Sequence, residues 1–61
     1  MASAAELVSQ AKAEGMAVDS YSFAEWLVDE KEYYGDPERL MEYGQLEEAW
    51  VEAEAMWARH A

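Results

Sequence analysis

An all-α fold, a compact bundle of three to four short helices with no sheet, is predicted by three features of the sequence. Capping-box patterns open two segments, and glycines stand where helices would end. Apolar residues recur at three- and four-residue spacings, while strand signals are nearly absent.

In chain order, Ser3-Ala4-Ala5-Glu6 is a capping box, with Glu6 placed to reach back to the Ser3 amide. Ala4, Leu7, Val8 and Ala11 then share one helical face, and Gly15 stands where a left-handed C-terminal cap would close it. Residues 16–21 form the connection. Ser22-Phe23-Ala24-Glu25 repeats the box, with Tyr21 and Trp26 spaced as a hydrophobic staple. Phe23, Trp26, Leu27 and Tyr34 lie within reach of one face, and Gly35 is expected to end the run. Asp36-Pro37 restarts it, Asp as cap and Pro at the first helical position, where its missing N–H costs nothing.

Gly44 divides what remains. Tyr43, Leu46, Trp50, Ala53 and Trp57 fall in a band about 80° wide on a helical projection, and Leu40 and Met41 lie outside it. The expectation is a short helix over 37–43, a break at Gly44 and a long helix to residue 59. One continuous helix from 37 is the alternative, because an interior glycine costs only about 1 kcal/mol.

The 61 residues read as a single small helical domain, 1–61, and as a complete small gene product. Such a chain buries only about 60% of the surface that its unfolded form exposes. It therefore needs a staple, a metal, a partner subunit or dense helix packing. With no cysteine, disulfides and thiolate metal sites are closed. Three Trp, four Tyr and one Phe compensate, since each buried aromatic withdraws roughly 150–250 Å² from water. A homodimer is the other way to enlarge the core. No apolar run is long enough for a membrane span, and MASAAELVSQAK has no basic region followed by an apolar one. The expected location is cytoplasmic. The absence of Ile and Asn beside twelve Ala suggests a GC-rich genome, bacterial or phage.

Charge is the outlying property. The chain carries −10, and residues 19–54 hold twelve acids against Lys31 and Arg39. Such a field repels nucleic acid and anionic membrane and attracts basic surfaces. Glu25–Asp29, Asp29–Glu32, Glu38–Glu42 and Glu48–Glu52 are like-charge pairs one helical turn apart, each costing a few tenths of a kcal/mol. A solvated surface that keeps a small protein soluble is the bland account of them. Mixed signs would serve solubility equally well, so the repulsion points to a field that is used.

Catalytic signals are missing. His60 stands next to last, where termini fray, with no partner to make it a general base. The segment DEKEYYGDPERL fails as a calcium loop: with Gly35 sixth, Tyr34 would be the fifth ligand and Met41 the twelfth. There is no Glu-x-x-His, no phosphate loop and no nucleophile elbow. The expectation is no enzyme, no cofactor and no dedicated metal site.

The tryptophans and Phe23 read as core. Tyr33, Tyr34 and Tyr43 differ, because they bracket two glycines amid acids and adjacent Tyr33 and Tyr34 cannot share a helix face. Exposed tyrosine of this kind is favoured in binding hot spots. Carboxylates one turn apart stand about 5–6 Å from each other, close to neighbouring phosphates, so an acidic helix can present a phosphate-like row to a groove built for nucleic acid. The candidate partner-binding residues are Glu25, Asp29, Glu30, Glu32, Tyr33, Tyr34, Asp36, Glu38, Glu42, Tyr43, Glu48 and Glu52.

In size, acidity, helicity and the tyrosine-studded run DEKEYYGDPERLMEYG, the whole chain resembles phage-encoded anti-CRISPR and anti-restriction inhibitors of the small acidic DNA-mimic type. The resemblance is one of character and carries no shared motif. It implies a protein that binds a basic nucleic-acid-reading protein or complex, such as a CRISPR effector subunit, in the bacterial cytoplasm and blocks DNA access. It implies no direct binding of nucleic acid or membrane. The competing class is a helical interaction or dimerisation module with a merely solubilising surface.

Overall fold

A computed structural model describes residues 3–61 of the chain as helices and connections without a strand among the described residues. The all-α expectation holds. Helix α1 (Ala4–Ala13) starts on Ser3, whose hydroxyl accepts from the Glu6 amide at 3.2 Å. It ends at Gly15 (φ 71°), where the Gly15 amide donates to Lys12 O and the Met16 amide to Ala11 O. That pair of bonds satisfies carbonyls the last turn leaves open. Leu7, Val8 and Ala11 are buried and Ala4 packs beside them, as the spacing predicts.

Helix α2 (Ser20–Ala24) begins earlier than the sequence pattern suggests. Its cap is Asp19 and not Ser22: Asp19 Oδ1 accepts from the Ser22 amide at 2.8 Å, and Ser22 Oγ accepts from the Asp19 amide at 3.1 Å. The box is real but displaced by three residues, since a carboxylate and a hydroxyl together satisfy two open amides. Tyr21 is consequently inside the helix and 63% exposed, so the staple to Trp26 does not form. Its ring instead lies 5.1 Å from that of Trp50.

A π-helical turn over Glu25–Glu30 continues α2 without interruption. Its signature is the Lys31 amide donating to Trp26 O, five residues back. The widened turn buries three successive side chains, Trp26, Leu27 and Val28, which an ordinary helix face does not accommodate. Glu25, Asp29 and Glu30 remain in water. Glu32 closes the segment in a left-handed conformation (φ 52°), so the helical run stops before Gly35, where it was expected to end.

Helix α3 (Pro37–Glu42) is capped by Asp36, whose Oδ1 accepts from the Glu38 amide at 2.9 Å. Gly44 (φ 69°) then breaks the chain: its amide donates to Met41 O and the Gln45 amide to Leu40 O. The continuous-helix alternative is excluded, and helix α4 (Leu46–His60) starts afresh.

Helix α4 is the hub against which α1, α2, the π turn and α3 all pack. Phe23 lies at the centre, its ring 5.9 Å from Trp26 and 5.4 Å from Trp57. The face of α4 that meets the core is rotated from the expected stripe. Ala49, Ala53 and Met56 are buried, while Leu46, Trp50 and Trp57 pack at its flank and Tyr43 lies outside α4, 65% exposed. Small alanines let α2 and α1 approach closely, and the indoles are too large for that line of contact. Among the described residues no polar or charged side chain is buried. The molecule measures 32 × 19 × 18 Å.

Candidate functional site

The glutamates of α4 leave the helix on two sides. Glu54 turns toward α2 and accepts from Ser20 Oγ at 3.3 Å. Glu48 and Glu52, one turn apart, face the other way and line a cleft of about 250 Å³ with Tyr34, Leu40, Gln45 and Ala49. A neighbouring depression of about 680 Å³ is bordered by Gly44, Glu47, Glu48, Val51 and Glu52. The same two carboxylates therefore rim both hollows.

Tyr34 forms a wall of the cleft. It is half-buried, and Tyr33, 49% exposed, meets it edge to face with ring centroids 5.0 Å apart. The two lie in the turn before α3 and not on a helix, so the helix-face argument does not apply to them, and their rings meet across the chain reversal. Burial pushes the Tyr34 phenol above its ordinary value, the charges of Glu52 and Tyr33 push the same way, and Arg59 opposes them. Arg59 follows Glu52 by two helical turns on the same side of α4.

The disposition of the bases decides the electrostatics. Lys12 Nζ lies 5.5 Å from the centroid of the Trp57 ring, and Lys31 Nζ lies 5.5 Å from that of Trp26. Both lysines thus cover tryptophans at the core's edge, where a cation is attracted to the ring face. Among the described residues no carboxylate stands within 4.0 Å of a basic nitrogen. Thirteen acids are exposed and the fourteenth, Glu54, is half-buried.

Of the candidate residues, Tyr34, Glu48 and Glu52 come together at the cleft and Tyr33 joins them through its ring contact. Glu25, Asp29, Glu30, Glu32, Glu38, Glu42 and Tyr43 are exposed but do not line it. Asp36 has one oxygen engaged in capping α3. Leu40, Gln45 and Ala49 complete the cleft without having been singled out. The available signal was Leu40 itself, an apolar residue lying off the α4 stripe. No group of three or more His, Asp or Glu among the described residues is arranged to hold a metal. Among them, too, no helix is long and apolar enough to cross a membrane.

Comparison with protein families, with curated proteins and with solved structures gives no match for this chain.

Proposed function

We propose that the protein is a small acidic inhibitor that docks on the basic, nucleic-acid-reading surface of a bacterial defence complex and blocks access of DNA, in the manner of anti-CRISPR proteins. The observation that carries this reading is the unneutralised acidic surface. Its lysines cover indole rings, thirteen of its fourteen acids are exposed, and among the described residues no ion pair offsets the −10 charge. Along the 32 Å axis a single DNA strand would place roughly nine phosphates, a charge comparable to that of the chain. The same field repels nucleic acid, so the ligand is a basic protein and not DNA itself.

The test is capture from a bacterial lysate on the immobilised protein, at about 50 mM and about 200 mM salt, a range in which 6–10 phosphate contacts lose roughly 10³–10⁵ in affinity. A basic nucleic-acid-binding complex should be retained at the lower salt, released at the higher, and displaced by duplex DNA. Reversing charge at Glu38, Glu48 and Glu52 should abolish capture while leaving the far-UV spectrum unchanged. A partner held equally at both salts and indifferent to DNA would end this reading.

The pair Tyr21–Trp50, with Val18 83% exposed in the preceding loop, favours a second reading, a self-associating helical module. Sedimentation at micromolar concentration separates the two, since a monomer leaves that surface without its purpose.

A further inference from the structure

The cleft between α3 and α4 has features that a general acidic surface lacks. Its lining includes Leu40 and Ala49, its wall is the half-buried Tyr34 ring braced by Tyr33, and its rim is the pair Glu48 and Glu52. Neither carboxylate has an ion-pair partner within 4.0 Å among the described residues, and Arg59 is not part of the lining. At about 250 Å³ the cleft is smaller than the roughly 300–1,000 Å³ of a drug-sized pocket, and it suits one long side chain.

We propose that this cleft seats a single arginine side chain of the protein partner, its stem on Leu40 and Ala49, its guanidinium against the Tyr34 ring and between the Glu48 and Glu52 carboxylates. Charge complementarity selects a cation, and the rest of the lining selects which one. A guanidinium is planar, stacks on aromatic rings, pairs two-pronged with carboxylates and is more weakly hydrated than an ammonium. A lysine ammonium offers a compact, strongly hydrated charge that gains little from an apolar floor. This inference rests on the proposed binding of a basic protein surface and adds to it one anchoring contact with a defined place.

The experiment titrates the full chain with hexa-arginine and, separately, hexa-lysine, following amide shifts by NMR. The arginine peptide should bind about fivefold or more tightly than the lysine peptide, the scale of one exposed cation–π contact. Its shifts should concentrate on Tyr34, Leu40, Gln45, Glu48, Ala49 and Glu52. Glu48→Gln with Glu52→Gln should erase the preference, and Tyr34→Phe, which retains the ring, should keep it. Equal affinities, shifts spread evenly over the acidic surface, or no binding of either peptide would overturn the cleft assignment. The first two outcomes would leave the broader acidic-surface reading standing, because that reading is decided by salt and DNA competition.

Discussion

Replacing Gly44 by alanine separates two architectures by the sign of its effect. Gly44 has φ 69° and an added Cβ would meet nothing within 4 Å, so the cost is purely conformational. Placing an L-residue in the left-handed region costs about 1–2 kcal/mol. The loss of freedom in the unfolded chain returns about 0.4–1 kcal/mol, so a net destabilisation of about 1 kcal/mol remains. A chain of 61 residues has a total stability of about 3–9 kcal/mol, so the variant loses a tenth to a third of it. Thermal unfolding followed by far-UV circular dichroism should show a midpoint lower by about 4–8 °C. If residues 37–60 instead formed one straight helix, alanine would replace an interior glycine and stabilise by about 1 kcal/mol. A raised midpoint in Gly44→Ala would therefore refute the break between α3 and α4, and with it the cleft they form.

Three further outcomes follow from the same physics. Glu32 occupies the left-handed region without being glycine, so Glu32→Gly should stabilise by about 0.5–1 kcal/mol in urea titration. Glu32→Gln, which removes the charge but keeps the strain, should not; equal gains in both would assign the effect to charge. The Asp19 carboxylate is held below its ordinary value first by the Ser22 amide and then by the Ser22 hydroxyl. Its contribution is thus complete above the unfolded value near 3.8 and lost as pH falls through the lower folded value. The deficit in thermal midpoint of Asp19→Asn relative to the parent chain should therefore be largest above about pH 4 and shrink on further acidification, whatever the relief of repulsion among the other acids does to both proteins. Finally, raising salt from about 0.01 to about 0.15 M shortens the screening length from about 30 to about 8 Å and should raise the midpoint, because like charges repel and the described residues form no ion pair to weaken. A midpoint that fell with salt would show that attractive pairs hold the fold.

What the sequence by itself determined is the local grammar: helices, their stops and the acidic balance. Ser3, Gly15, Asp36-Pro37 and Gly44 act through hydrogen bonds to residues at most five positions away, so their meaning is readable from spacing alone. The same locality explains the error at Ser22. Asp19 and Ser22 are both competent caps, and the start at Asp19 goes with contacts to α4 that spacing does not show, Ser20 on Glu54 and Tyr21 on Trp50. Only the tertiary structure decided which face of α4 is buried, because the line of contact follows the size of the side chains that α1 and α2 bring to it. The π turn is likewise a packing outcome, a widening that seats Trp26, Leu27 and Val28 together against α4. So is the cleft: Tyr34 lies in the turn before α3, Leu40 in α3 and Glu48 and Glu52 in α4, and they adjoin because Gly44 folds α3 back along α4. A periodicity records what one helix can present, and a neighbour's shape determines what it does present.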